Sequence, residues 1–496
     1  VFGVLSALAV LPFWLTRILP MQDYPQFLLF ARAYADSHDP ASPYAGTYAT
    51  GFPLSPTVLP LLFVRALGVF GGLETGGRLL WTLYAVGLPA ASLYLLRVLR
   101  KDRWAVLLVF PLLLSYWVVG GFFAFATAIP LVVLALSLAV RWLEAPTLAR
   151  GVLFASAACA VDLWHALAFV QLLVDFAVLW LLARHAGARA RLRTFAPVVP
   201  SVAMFVAWTA RNAAGRPRRT QLTTWPRFFE NATSFFDFVA PPVPRAGIVL
   251  AVLAAVLACS ALALPSREPS ADPFRVKNPF ALLALLSAAL FLVLPANAFG
   301  AEGIQNRQPW LACVMVVFAW PLPARPAARA ALLALVGSVG ALALVDMAVR
   351  FHAFARESAG ASRLIDAMGS TDTLFLAPYG GPTTPSFPKG KPLVAIDLYA
   401  AIRHGVLPNA SFAGYDVNFI RYVDNKNPMP GLGARWLRDP ALARFDDVLV
   451  HGVLDPEDRR FDALRPVARD GGWSLYRVCG TKTLPDCALP PGAQAP

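Results

Sequence analysis

Residues 122–141 read FFAFATAIPLVVLALSLAVR, with no charge before Arg141. A helix of about 20 such residues crosses the roughly 30 Å hydrocarbon core of a bilayer. Pro130 would interrupt a helix in water, but a spanning helix tolerates proline where its neighbours re-satisfy the freed backbone groups. Comparable runs recur at roughly 1–19, 78–96, 104–118, 150–163, 168–183, 195–210, 246–264, 279–295, 309–322 and 327–349. The expected fold class is therefore a polytopic α-helical membrane protein with about 11 transmembrane helices.

Composition agrees with that expectation. Of the 496 residues, 57% are hydrophobic and 15% charged, and the mean hydropathy is +0.58. Soluble globular chains carry about 25% charged residues, so a water-soluble enzyme, a disordered chain, a disulfide-rich secreted scaffold and an enzyme on one anchor are excluded. Arg supplies most of the basic residues and Ala is abundant, the usage of a GC-rich bacterial genome. The first run lacks a small-residue cleavage site and reads as a retained helix, not a signal peptide.

Loop charge sets the expected orientation. Arg97, Arg100, Lys101 and Arg103 share one side with Arg141 and Arg150, with Arg184, Arg189, Arg191 and Arg193, with Arg267, Arg275 and Lys277, and with Arg325 and Arg329. Positive loops stay in the cytoplasm, which places the N terminus inside and everything after about residue 350 outside. The same rule accounts for the net charge of +14, so nucleic acid is not an expected partner. Residues 53–72 are apolar enough to be a span, but counting them would invert every later loop. They are assigned to the outer interface as an amphipathic element.

Two parts follow: a multi-span membrane domain over 1–350, with outer loops at about 20–77 and 211–245, and a small extracytoplasmic α/β domain over 351–496. In the latter a helical start at Ser362–Met368 precedes strand-like runs at 373–377 (TLFLA), 393–397 (LVAID) and 446–453 (DDVLVHGV). Residues 465–478 read as a closing hairpin. Cys479 and Cys487 could close a disulfide in an oxidising compartment, whereas Cys159, Cys259 and Cys313 lie in apolar runs as small hydrophobes.

The chemistry is expected at the outer edge. Asp23 follows the first span and precedes an amphipathic helix in which Phe27, Phe30, Ala31 and Tyr34 share a face. An acid there is a helix cap favoured by the dipole or a functional carboxylate. Asp162 and His165 lie three apart in the turn between the fifth and sixth spans, as functional groups or as a hairpin cap. Asp175 lies deeper in the sixth span, neutral or paired with an Arg. The loop at 211–245 is basic against the charge rule, with Arg211, Arg216, Arg218, Arg219 and Arg227. It is an anion-binding surface or simply a long loop exempt from the rule. Arg307 and Arg17, near the outer ends of spans, are phosphate ligands or snorkelling residues. The sequence contains no GxxxxGK[ST], CxxC or HExxH pattern, so soluble nucleotide hydrolysis and zinc hydrolysis have no support.

An acid outside the first helix, the D-x-x-x-[FY]-L-x-x-A-R pattern (Asp23, Phe27, Leu28, Ala31, Arg32), an interfacial S-P-x-x-x-P-L segment (Ser55, Pro56, Pro60, Leu61) and the span from Arg78 to the Arg103 cluster resemble the polytopic GT-C glycosyltransferases. The match covers about the first 150 residues. It implies transfer of a sugar, hexosyl or pentosyl, from a polyprenyl-phosphate-linked donor to an envelope glycan, lipid or protein acceptor at the outer face of the bacterial inner membrane. It implies Asp23 as the catalytic carboxylate, a general base or acceptor-orienting group. Arg211, Arg218, Arg219, Arg307 and His165 are then the candidates for the donor phosphate, with Arg17, Arg32 and Asp162 supporting. Many members have two adjacent first-loop acids, whereas Gln22 precedes Asp23 here. A divalent cation therefore lacks support, no metal ligands are assigned, and Asp36, His38 and Asp39 read as a polar turn. The rival readings are a lipid or solute transporter, suggested by Asp175 alone, and a noncatalytic envelope scaffold.

Overall fold

The computed structural model describes residues 1–212, 225–263, 274–298, 301–368, 373–377, 381–409, 411, 413, 419–423, 427, 429, 439–452, 454 and 464–479. In chain order the helices begin with α1 (Phe2–Val10), α2 (Tyr24–Asp36), α3 (Val58–Leu67), α4 (Gly72–Val98), α5 (Tyr116–Val119) and α6 (Phe123–Glu144). Next come α7 (Leu148–Trp164), α8 (Ala166–Leu182), α9 (Ala188–Phe195), α10 (Val199–Asn212), α11 (Trp225–Ser234) and α12 (Ala246–Ala263). The last are α13 (Pro279–Val293), α14 (Gln308–Ala319), α15 (Pro326–Glu357), α16 (Ala359–Asp366) and α17 (Leu398–His404). Among the described residues four stretches are long and apolar enough to cross a membrane: Gly72–Val98, Phe123–Glu144, Ala188–Arg211 and Pro326–Glu357. The chain is a multi-pass helical membrane protein.

The chain divides into two compact units. The first comprises Val1–Trp14 and Phe52–Arg350, the second Leu15–Gly51 and Phe351–Pro496. The segment expected as the first outer loop is thus split, and its Leu15–Gly51 portion clusters with the C-terminal part.

In the first unit α6 is the central helix, packed on α4, α7 and α8. Its apolar residues are buried around most of its circumference, from Phe123 and Ile129 to Leu136 and Leu143, as expected of a helix hydrophobic all round. The run at 104–118 departs from the expected single helix. It forms a 3-10 helix over Arg103–Leu112, which contains Pro111, and then the one-turn α5. Proline lacks the donor an α-helix needs and its ring clashes with the carbonyl four residues back. The carbonyls freed at this break are met from other elements: Tyr84 Oη donates to Leu113 O at 2.7 Å and Trp310 Nε1 to Leu112 O at 3.1 Å. Small residues bring helices close. A Cβ on Gly76 of α4 would lie 2.1 Å from Val64 O of α3, and one on Gly340 of α15 would lie 3.1 Å from Phe110 Cβ.

The second unit is built on strands β1 (Tyr48–Thr50), β4 (Thr373–Ala377), β5 (Leu407–Pro408), β6 (Ile420–Tyr422), β7 (Asp447–His451), β8 (Leu464–Asp470) and β9 (Trp473–Val478); β2 (Asn297–Ala298) and β3 (Ala301–Glu302) pair in the first unit. Its main sheet has the order β5-β4-β7-β9-β8, with β4 parallel to β5 and β7, and β9 antiparallel to β7 and β8. Alternate residues Phe375 and Ala377, Val448 and Val450, and Tyr476 and Val478 enter one apolar core, the period of two that a pleated strand imposes.

The TLFLA run and the closing hairpin are strands as expected. LVAID is not: successive turns, such as Ile396 N–H to Leu393 O, wind it into α17 and bury Leu393, Ala395, Ile396 and Leu398. That helical spacing wins over the alternation read from its composition. Helix α2 packs on α17, β1 and β6. Tyr24, Leu28, Leu29, Phe30, Ala31 and Ala33 are buried, while Phe27 and Tyr34 of the expected apolar stripe are half-buried.

Candidate functional site

In the first unit the turn Gln305–Arg307 leads into α14, so Arg307 stands at the N-cap of that helix. The aligned peptide dipoles of a helix favour negative charge at that end, and Arg307 adds a full positive charge. Its side chain is enclosed in rings: Cζ lies 5.5 Å from the Trp117 ring centroid, 5.2 Å from Phe122 and 5.1 Å from Phe125. Nη1 donates to Gly303 O at 3.4 Å, and the residue is 6% exposed. Ring faces attract a guanidinium, and the in-plane N–H groups of a guanidinium form the fork that recognises phosphate.

The cage comes from residues 117–125, WVVGGFFAF. After α5 the chain turns at Gly121, whose φ of +77° is left-handed and suits glycine. Trp117 then meets Phe122 edge-to-face, with centroids 4.9 Å apart.

His165 joins the same cluster through Phe125, with ring centroids 5.4 Å apart. It links α7 to α8, and its Nδ1 accepts from Ala168 N–H at 3.3 Å. In a neutral ring with that hydrogen bond the proton sits on Nε2. The hairpin is therefore capped through the Ala168 backbone, not through Asp162. Asp162 is fully buried, and neither carboxylate oxygen has a hydrogen-bond partner among the described residues.

Below this cluster runs a buried polar chain that the sequence reading missed. Gln308 Nε2 donates to Gln171 Oε1 at 3.1 Å, and Gln171 Nε2 donates to Asp175 Oδ1 at 2.8 Å. Asp175 thus engages an amide on its own helix, where an Arg from a neighbour was one expectation. Arg211 is exposed at the end of α10, its Cζ 5.3 Å from the Phe52 ring centroid. Arg218 and Arg219 lie outside the described residues.

In the second unit Asp23 is half-buried at the N-cap of α2, and its side chain makes no capping hydrogen bond. Arg32 pairs with Asp36 one turn on and donates through Nη1 to Ile402 O at 3.4 Å. Asp39 Oδ1 accepts from Ala41 N–H at 3.0 Å, as in a polar turn. Arg17 Nη1 lies 2.7 Å from Asp366 Oδ2, whose other oxygen takes Arg403 at 2.9 Å. Two guanidiniums on one carboxylate leave a local net positive charge, and neither Asp366 nor Arg403 was singled out from sequence. Asp397 is buried at the start of α17, and loss of water pushes its carboxyl up to about 7. Burial likewise raises the Tyr44 hydroxyl, which donates to Ala401 O at 2.7 Å. Cys479 is disulfide-bonded; Cys487 lies outside the described residues.

The sequence matches no protein-family model and no curated protein. Solved structures do match it. ArnT from Cupriavidus metallidurans in the apo state superposes with a TM-score of 0.53 at 14% identity, over 98% of each chain. The same protein bound to undecaprenyl phosphate gives 0.52 at 14%, again over 98% of each chain. The arabinofuranosyltransferase AftD from Mycobacteria gives 0.48 at 14% over 97% of this chain, which spans 42% of AftD. At such identity the likeness is one of fold, and the fold is the GT-C type that the first-loop motifs suggested.

Proposed function

We propose that the chain is a multi-pass GT-C glycosyltransferase of the bacterial inner membrane, moving a hexosyl or pentosyl unit from a polyprenyl-phosphate donor to an envelope glycan, lipid or protein at the outer face. The observation that carries this reading is Arg307: a buried guanidinium, held by three rings at a helix N terminus, inside a bundle of the same fold as ArnT. ArnT binds undecaprenyl phosphate, and the same ligand class is proposed here. The topology proposed with it has about 11 spans, the N terminus inside and residues 351–496 outside.

In this reading the acceptor oxygen attacks the anomeric carbon while the bond from that carbon to the phosphate oxygen breaks. The hydroxyl proton passes to Asp23, because a hydroxyl is a poor nucleophile until a positioned carboxylate shares its proton. Polyprenyl phosphate leaves, its charge met by Arg307 and by His165 donating from Nε2. One displacement inverts the anomeric centre. Arg211, Arg218 and Arg219 would extend the phosphate-binding surface, with Arg17, Arg32 and Asp162 supporting.

The test is mass spectrometry of envelope glycans and glycolipids from a deletion strain complemented with wild type or Asp23→Asn at matched abundance. Wild type should restore a sugar that the mutant does not. Full restoration by the mutant would remove Asp23 from the mechanism and favour a scaffold. The buried Gln308–Gln171–Asp175 chain is the feature that favours a transporter, and a deletion that leaves every glycan unchanged would support that alternative.

A further inference from the structure

At the other end of α6 the structure has an open cavity of about 200 Å³, lined by Arg97, Val98, Arg100, Arg141 and Glu144. Phe125 of the Arg307 cage and Arg141 are both on α6, and at 1.5 Å per residue their separation along the helix is about 24 Å. The two positions are thus distinct.

A bias of basic residues to one side of a membrane would put arginines here without any site. Four observations go further. Arg100 has φ +56° and closes the C terminus of α4, with Lys101 N–H bonded to Leu96 O and Arg100 N–H to Arg97 O. This left-handed position is the one glycine ordinarily takes, so the backbone carries strain to keep a guanidinium there. Secondly, the negative end of α6 is neutralised: Arg150 Nη1 donates to Arg141 O at 2.9 Å and to Ala145 O at 3.2 Å. Thirdly, Arg141 is oriented by a hydrogen bond from its Nη1 to Tyr94 Oη at 2.8 Å. Lastly, Glu144 forms its ion pair with Arg100, at 2.8 Å, and also faces the charge of Arg141, while no acid among the described residues pairs with Arg97. Three arginines against one glutamate leave the cavity with an excess of two positive charges.

We propose that Arg97, Arg100 and Arg141 form a second binding site, for a phosphate-bearing anion, at the end of the bundle opposite the Arg307 cage. Guanidinium forks match phosphate oxygens bidentately. The site lies in the last turns of two spanning helices, α4 and α6, where lipid headgroups sit. The phosphate could belong to an anionic lipid or be free in solution.

The test uses the full chain in an uncharged detergent and follows thermal unfolding with phosphatidylglycerol, phosphatidylcholine or inorganic phosphate added. Wild type is compared with Arg97→Gln and Arg100→Gly. The glycine variant removes a guanidinium and relieves the left-handed backbone, so without additive it should melt no lower than wild type. Phosphatidylglycerol should raise the wild-type melting temperature, and each variant should need about tenfold more of it for the same rise. Phosphatidylcholine should do nothing. A rise with inorganic phosphate that is equally sensitive to both substitutions identifies free phosphate as sufficient; a rise with phosphatidylglycerol alone identifies a lipid. The site is overturned if wild type responds to neither, or if all three proteins respond alike. Binding is read here, not transfer, so failure of the glycosyltransferase reading would leave this result standing.

Discussion

Replacing Arg307 separates a cation that serves the phosphate from one that serves the fold. In Arg307→Met the fold loses three cation–π contacts, each with Cζ within 5.5 Å of a ring and worth about 0.5–2 kcal/mol. It also loses the cost of burying a guanidinium, several kcal/mol per ion. Methionine fills much of the same volume with apolar atoms, so the two effects offset and stability should change by no more than about 2 kcal/mol. Function has no such compensation. A charge-assisted hydrogen bond contributes about 1.5–3 kcal/mol, so losing both arms of a fork should cost about 3–6 kcal/mol, roughly a 10²–10⁴-fold fall in kcat/KM. Arg307→Lys keeps the charge without the planar fork and should fall between. The assay is sugar transfer from a polyprenyl-phosphate donor by membranes holding matched amounts of each protein, with melting of the purified variants beside it. Near-normal transfer by the methionine variant would refute the phosphate role. A methionine variant that fails to fold while the lysine variant recovers both fold and transfer would make Arg307 a structural cation.

Asp397 makes the second unit sensitive to pH. Its carboxyl is raised from the ordinary 3.8 to about 7, so folding favours the protonated form. That contribution is complete below 3.8 and is lost as pH rises through about 7. Hydrogen exchange of α17 should quicken across that range, and Asp397→Asn should flatten the dependence. In the bundle, Gln171→Leu strips partners from both Asp175 and Gln308 and should lower stability by about 1–3 kcal/mol, read as detergent melting; an unchanged melt would mean that other groups satisfy both. Gly76→Ala puts a Cβ 2.1 Å from Val64 O. Separation of α3 from α4 should cost about 1–3 kcal/mol, whereas Ala at exposed Gly3, with nothing within 4 Å of the added Cβ, should be silent.

The helical runs were legible because a backbone in hydrocarbon must satisfy its own polar groups, so length and apolarity alone call for a helix. The run at 104–118 escaped that logic. Pro111 breaks the helix, and the freed carbonyls are met by Tyr84 and Trp310, the latter nearly two hundred positions away. LVAID has the β-branched and apolar content of a strand, but in the structure its turns bury residues at helical spacing.

The candidate site was legible only in part. His165 and Arg307 of the first unit could be picked out as candidates because they are ionisable groups beside apolar runs, where charge is costly to place. What surrounds them was not. The aromatic residues of 117–125 are individually ordinary in an apolar stretch, and nothing local marks Trp117, Phe122 and Phe125 as partners of a residue at 307. Asp366 and Arg403 likewise acquire meaning only when Arg17 is brought to them across the chain. Sequence alone thus determined that the chain is built of long apolar helices of a membrane protein, and where most of them and the closing hairpin run, because these depend on period and hydropathy among near neighbours. Tertiary structure decided which charges are caged, which are paired and which face an open cavity, because these depend on side chains from distant segments converging within a few ångströms.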